Sequence, residues 1–364
     1  EFGLHDSLPI YSGGLGVLAG DYLQAMSDLG VPLVGVGLLY AEGYFDQQLD
    51  ESGWQQEGYS ATDIDTLPLE LAQNADGDPL RTQVHADGRD IQIRIWRAHV
   101  GRSQLLLLDT KLDENDEADR SLTAQLYGGD DRVRIRQELV LGVGGMRALA
   151  ALGIRPGVIH LNEGHCAFAA LEAARTMMEE EGRAYDAIRE RNAGRIVFTT
   201  HTPVEAGHDR FDPALVNEVL GPLREGLGLS EHGLLALGRV HPDDDEEPFC
   251  MTVLGLRAAR FRNAVSALHQ RVSRDMWQPL WPERTAAEVP IGHITNGVHV
   301  TTWLAQPMKA LYDRTLGDGW EKHVCEAKTW EPVADVDEVE FWQQHELLRA
   351  HLVDFVRRRV CRQA

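Results

Sequence analysis

Short apolar runs that stop abruptly at polar residues recur along this chain, and that recurrence constrains its fold more than any other feature. Residues 31–40 are almost continuously apolar, 158–161 end at Asn162, and 196–199 end at Thr200 and His201. Two further runs fall near 264–268 and 291–296. Uninterrupted apolar stretches of this length mark strands buried on both faces. Helical spacing follows or precedes them. Phe168, Leu171, Ala174 and Met178 recur every three to four positions, as do Ile135, Leu139, Val143, Met146 and Ala150, which Asp130 and Asp131 can cap and Gly153 can end. Alternating buried strands and helices predict an α/β fold with a Rossmann-like parallel sheet. One segment departs from that pattern. From 91 to 100 apolar residues alternate with polar ones, and with 105–108 beyond Gly101 this reads as a hairpin or two neighbouring strands.

At the start, a glycine-rich loop from Tyr11 to Gly20 leads into an amphipathic helix expected over 21–29. Residues 1–303 read as one Rossmann-like domain. After Trp303 the text becomes charged, helical and tryptophan-bearing, so 304–364 reads as a helical connection that begins a second domain or packs across its boundary. The absence of an initiator Met at Glu1 predicts a piece of a longer protein.

Composition narrows the partners. With 43% hydrophobic and 25% charged residues the chain can bury a core, which excludes a disordered or collagen-like polymer. Against 57 Asp and Glu stand 35 Lys and Arg, a net charge of −22 that repels phosphodiester backbones and anionic membranes. Nucleic acid and membrane are therefore not expected as partners. Cys166, Cys250, Cys325 and Cys361 are widely separated and form no C-x-x-C pair, so they read as buried, reduced thiols of a cytoplasmic chain. The stretches 112–120 and 241–247, rich in charge, read as solvated loops without chemistry. Nothing in the sequence sets an oligomeric state.

In open parallel sheets ligands bind beyond the carboxyl ends of the strands. Three segments place polar residues there: His160 to His165, Thr199 to Pro203, and Ile294 to His299. The glycine loop is a fourth candidate, because exposed N–H groups opening a helix attract an anion such as phosphate. Its Gly14 to Ala19 stretch formally fits the dinucleotide pattern G-x-G-x-x-A, but no strand precedes it and Glu42 lies beyond the usual spacing of the ribose acid. His160, Glu163, His165, His201 and His208 match no zinc spacing, so no metal is expected. A G-x-S-x-G nucleophile motif is absent, and Cys166 reads as a small residue at a helix start.

These residues carry a resemblance. EFGLHDSLPIYSGGLGVLAGDYLQAMSDLGVPLVGVGLLYAEGYFDQ, VIHLNEGHCAFAALE, VFTTHTPVEAGHDRF and ITNGVHVTTW occur in the order found in the α-glucan phosphorylases, the glycogen, starch and maltodextrin phosphorylase family, and are most similar to its short bacterial type. The resemblance implies the N-terminal half of a B-type glycosyltransferase fold, in which two Rossmann-like domains face a cleft. It implies reversible, retaining phosphorolysis of a terminal α-1,4-linked glucose to glucose 1-phosphate. It implies pyridoxal phosphate as cofactor, held by a lysine expected outside these residues, with α-glucan or maltodextrin and inorganic phosphate as substrates. By the same resemblance, Gly13, Gly14 and Leu15 face the substrate phosphate, and Gly14 also faces the cofactor phosphate. His201 meets the transferred glucosyl unit as the catalytic histidine, and Asn296 binds that sugar's hydroxymethyl group. Glu163, His165 and Glu1 line the acceptor-sugar side. A nucleotide-sugar glucosyltransferase of the glycogen or starch synthase type uses a similar Gly-Gly-Leu-Gly loop but typically has a lysine before it, where Tyr11 and Ser12 stand here. Two more distant readings are a dinucleotide-dependent dehydrogenase and a non-catalytic glucan-binding module.

Overall fold

A computed structural model describes residues 1–74 and 76–363, so the last position of the expected 304–364 stretch lies outside the described residues. The chain divides into two compact units, Glu1–Gly297 and Val298–Ala364.

In the first unit, α1 (Gly13–Leu29) leads to β1 (Val34–Leu38), the exposed hairpin β2 (Asp46–Leu49) and β3 (Gln55–Gly58), β4 (Glu70–Leu71), β5 (Arg81–Ala86), β6 (Arg89–Val100) and β7 (Ser103–Asp109). The hairpin read from period-two patterning is β6 and β7, antiparallel across Gly101 at φ +60°. β1 runs parallel to β7, and β4 and β5 add antiparallel strands to β6. The first apolar run therefore does not join the later ones. It belongs to a mixed five-stranded sheet of its own.

After the single turn α2 (Glu117–Arg120) comes the helix expected behind Asp130, whose side chain accepts from Val133 N. It runs as α3 (Asp131–Leu139), a π-helical turn Val140–Gly144, and α4 (Gly145–Ala151), with Gly153 at φ +70° after it. Within this turn Gly142 lies close against the neighbouring helix, where a Cβ would stand 2.7 Å from Ala169 N. Next follow β8 (Ile159–Asn162), α5 (Phe168–Glu181), α6 (Tyr185–Ala193), β9 (Ile196–Thr200), β10 (Arg210–Phe211), α7 (Pro213–Gly226), α8 (Glu231–Leu235), β11 (Phe249–Cys250), α9 (Met251–Ala258), β12 (Phe261–Ala264), α10 (Ala267–Trp277) and β13 (Gly292–His293). The second sheet is parallel throughout, in the order β13-β12-β9-β8. Mixed α/β architecture with parallel pairing is thus present, and all four carboxyl ends of this sheet share one edge.

α5 joins two cores. Phe168, Leu171 and Ala174 pack with the first sheet and α3, whereas Ala169, Ala170 and Ala173 pack with Ile159, Ile196 and Phe198 of the second. An i, i+3 apolar stripe flanked by alanines is what a helix shared by two layers requires.

Several expectations need correction. The glycine run is not a loop before a helix at 21–29. It is the first turns of α1, because glycines let this helix touch the chain ahead of it; a Cβ on Gly20 would fall 2.1 Å from Gly3 O. The run at 31–40 forms a strand only over Val34–Leu38. That expected at 264–268 lies earlier, because Ser266 caps α10 by accepting from His269 N. Only Gly292–His293 of 291–296 pairs. The charged stretches are anchored, not merely solvated. Asp119 is buried and accepts from Arg89 and from the buried Arg136, while buried Arg239 donates to the Glu247 and Asp245 carbonyls. Of the four thiols only Cys250 is fully buried, and Cys325 and Cys361 are exposed.

The second unit is helical: α11 (Val300–Trp303), α12 (Gln306–Leu316) and α13 (Glu338–Gln363). Tyr312, Trp320 and Trp330 stack edge to face at 5.6 to 5.9 Å and supply its small core. Among the described residues no helix is long and apolar enough to cross a membrane.

Candidate active site

The carboxyl ends of β8 and β9 meet through Glu163. This residue follows β8 at φ +77°, a left-handed conformation that is uncommon for a residue with a side chain. Its N–H donates to Thr199 O at 2.9 Å, which fixes the backbone where the chain leaves the sheet. Oε2 then accepts from His201 N at 2.7 Å, Thr202 N at 3.1 Å and Thr202 Oγ1 at 3.0 Å. Oε1 is buried and has no protein partner. Burial raises the pKa of Glu163 above the ordinary carboxylate value, against the lowering effect of these hydrogen bonds.

His201 is oriented twice. Its backbone is held by Glu163, and its Nε2–H donates to Asn162 Oδ1 at 2.7 Å, leaving Nδ1 as acceptor. Burial first, and the neighbouring His269 and His160 next, depress its pKa to about 4, so the ring is neutral at pH 7. A neutral ring held this way can accept a hydrogen bond at Nδ1 without carrying charge into the site.

A cavity of about 400 Å³ opens beside this clasp, and Leu15, Glu163, His165 and Thr202 contribute to its wall. Leu15 arrives on the first turn of α1. The N-cap Ser12 side chain makes no capping bond there, and no atom lies within 4 Å of a Cβ built on Gly13 or Gly14. The N–H groups of a helix's first turn have no partner within the helix, and here the Ser12 side chain does not cap them. Glu1 reaches the same wall indirectly: it accepts from Ser12 N at 3.0 Å and from the Tyr127 hydroxyl, and Tyr127 lines the cavity. The structure accordingly brings together Leu15, Glu163 and His165, with His201 and Glu1 one hydrogen bond away. Asn296 sits elsewhere along the sheet edge, exposed past β13, where its N–H donates to Val265 O at 3.2 Å.

Sequence reasoning missed Tyr127, Arg134, Asp209 and Thr252, all in the cavity wall. Tyr127 carried one usable signal, its place directly ahead of Gly128 and Gly129, and in the structure it takes φ +62°. Arg134 and Glu138 lie one turn apart on α3, which reads as an ordinary surface pair until burial is known. His208 is buried against Thr252, with Nδ1 and Oγ1 at 2.9 Å, and burial lowers its pKa to about 4. Among the described residues no group of three or more His, Cys, Asp or Glu is placed to hold a metal ion.

Known proteins bear on this geometry. The chain is 41% identical over 360 residues to a maltodextrin phosphorylase of Thermococcus litoralis, an alignment covering 99% of this chain and 42% of that protein. It is 43% identical over 372 residues to a glycogen phosphorylase of Mycobacterium tuberculosis, with 99% and 42% covered. A glycogen phosphorylase of Aquifex aeolicus is 34% identical over 359 residues, with 99% and 51% covered. No family model matches the chain. Spanning 42 to 51% of the length of these relatives, the chain belongs to the glycogen and maltodextrin phosphorylase family.

Proposed function

We propose that this chain forms the N-terminal, sugar-binding half of a B-type glycosyltransferase that carries out reversible, retaining phosphorolysis of α-1,4-glucans to glucose 1-phosphate. The single observation that carries the reading is the clasp at the ends of β8 and β9, in which Glu163 fixes His201 while its own Oε1 stays unpartnered beside a cavity edged by the start of α1.

In the reaction the bond from C1 of the terminal glucose to the neighbouring sugar's O4 breaks, a bond from C1 to a phosphate oxygen forms, and O4 takes up a proton. The transition state is oxocarbenium-like and gains from nearby acceptors. His201 supports it through its backbone carbonyl and neutral ring, held to one orientation by Asn162 and Glu163. Glu163 and His165 line the acceptor-sugar side, with Glu163 holding His201 and Thr202 through Oε2. Gly13, Gly14 and Leu15 present N–H groups to the substrate phosphate, and Asn296 takes the hydroxymethyl group of the transferred sugar. The open space over Gly13 and Gly14 also suits the phosphate of pyridoxal phosphate, with Gly14 as its contact. When bound, that cofactor supplies a phosphate group that exchanges a proton with the substrate phosphate. The net charge of −22 fits a neutral glucan substrate.

The test is a product assay on the natural protein with maltodextrin. Glucose 1-phosphate that appears only when inorganic phosphate is added supports the reading. Glucosyl transfer from a sugar nucleotide, with no phosphate-dependent product, overturns it.

A further inference from the structure

At the cavity wall lies a group of charges, one of them fully buried, that the clasp does not use. Glu138 on α3 is fully buried, and neither of its oxygens accepts a hydrogen bond. Arg134 Nε is 3.3 Å from Glu138 Oε1, and Arg134 Nη2 donates to Asp209 Oδ2 at 3.2 Å. One guanidinium thus faces two acids. A second buried carboxylate without its own cation is costly, so a pair placed this way keeps one proton between them. As an acid, Glu138 has a donor for Asp209 and its burial no longer leaves an orphan. Burial, and then the neighbouring negative charge of Asp209, raise the Glu138 carboxyl well above the usual range against the opposing effect of Arg134, while Arg134 lowers Asp209.

Three neutral groups face this pair, and the Glu163 and Glu1 carboxylates act on two of them, Glu163 on Cys166 and Glu1 on Tyr40. Tyr40 beyond β1 and Cys166 beyond β8 are both pushed up by burial, the thiol to about 12, and His165 is held below its ordinary value by burial and then by Arg134. Arg134 and Asp209 line the cavity, and the guanidinium lies 5.6 Å from the centre of the Tyr127 ring, which lines it too. The triad is net neutral, with Glu138 buried on one side and Arg134 and Asp209 in the cavity wall on the other.

We propose that Glu138 and Asp209 share a single proton and together hold Arg134 as the positioning cation for the acceptor glucan, a role that rests on the phosphorylase reading above. Donors fixed in this way match sugar hydroxyls, which accept from a guanidinium without needing a formal negative charge. Loss of the shared proton at alkaline pH places two carboxylates on one cation and loosens it.

The test uses the natural protein and two substitutions. Glu138→Gln keeps a donor for Asp209, whereas Glu138→Leu removes it. Infrared difference spectra at neutral pH should show a buried protonated carboxylic acid that disappears in Glu138→Gln. In phosphorolysis, Glu138→Gln should hold the maltodextrin KM within about twofold of the parent and abolish its alkaline rise, while Glu138→Leu should raise it about tenfold with the phosphate KM unchanged. Absence of the acid band overturns the proton sharing. An alkaline rise that persists in Glu138→Gln, or a phosphate KM that moves in place of the maltodextrin KM, overturns the role of Arg134. Should Glu138→Leu fail to fold, the Glu138→Gln pH profile still decides. If the natural protein forms no glucose 1-phosphate, the functional reading falls with the glucan role, and the infrared band alone still settles whether the proton is shared.

Discussion

Replacing Glu163 tests the clasp at the ends of β8 and β9. In Glu163→Ala, two backbone N–H groups and a hydroxyl that now converge on Oε2 at 2.7 to 3.1 Å lose their acceptor. His201 and Thr202 are only half-buried, so water reaches part of the deficit and about 1 kcal/mol per lost bond is the appropriate scale, or about 3 kcal/mol together. The backbone modifies that figure. At φ +77° any Cβ is strained, and glycine recovers about 1 kcal/mol of it, so Glu163→Gly should cost about 2 kcal/mol and be the milder change. Glu163→Gln retains one acceptor oxygen and should cost about 1 kcal/mol. Native-state hydrogen exchange at the His201 and Thr202 amides reads this directly, because opening of those two amides should become easier in the order Gln, Gly, Ala. Alanine within about 0.5 kcal/mol of the parent would refute the clasp. A glycine variant less protected than alanine would refute the strain argument, since it would return the ordinary ranking of the two residues.

Four further outcomes follow from the same geometry. Gly14→Val should weaken phosphate binding in the natural protein and leave the fold intact, since its side chain would fill open space at the start of α1; unchanged phosphate affinity in a binding assay would make that turn purely structural. His201→Ala should lower phosphorolysis about ten- to a hundredfold, from the loss of one polar contact worth roughly 1 to 3 kcal/mol, with the backbone carbonyl still in place; steady-state kinetics equal to the parent would remove the ring from the site. Gly20→Ala should be disruptive, because its Cβ would sit 2.1 Å from Gly3 O, and a melting temperature equal to the parent would contradict that contact. His201 and His208 are both depressed to about 4, so below the ordinary 6.5 the unfolded chain binds protons that the folded one refuses. Stability should therefore fall as pH drops from 6.5 toward 4, with net proton uptake on unfolding at pH 5 measurable by calorimetry in buffers of different ionisation enthalpy; no uptake would mean that these rings are charged in the fold.

What the sequence displays of this fold is its local periodicity. The strand at Ile159–Asn162, that at Ile196–Thr200, the β6 and β7 hairpin and the long helix behind Asp130 all follow from spacing, caps and turns confined to a few neighbouring residues. What it hides is partnership at a distance. Nothing in residues 31–40 says that they pair with β7 and not with β8, and nothing near Gly13 says that the glycines belong to a helix, since the reason is the approach of Gly3 from ahead of them. Short strands such as Gly292–His293 are equally invisible, because two paired residues have no period.

The site divides along the same line. Glu163, His165 and His201 stand out because polar residues ending apolar runs point to the edge of a parallel sheet, and the cavity does open there. Glu138, Arg134 and Asp209 do not stand out, for a physical reason: an Arg and a Glu four apart on a helix are common on surfaces, where the pair contributes little. Only burial turns that spacing into a constraint, and it is a residue 71 positions beyond Glu138, Asp209, that Arg134 also reaches. Side chains at the cavity's sheet edge can thus be read from where strands end, whereas those behind them depend on which distant segments the core brings together. For that reason the proton shared at the cavity wall is a property of the folded chain alone, and the Glu138→Gln comparison tests the packing as much as the chemistry.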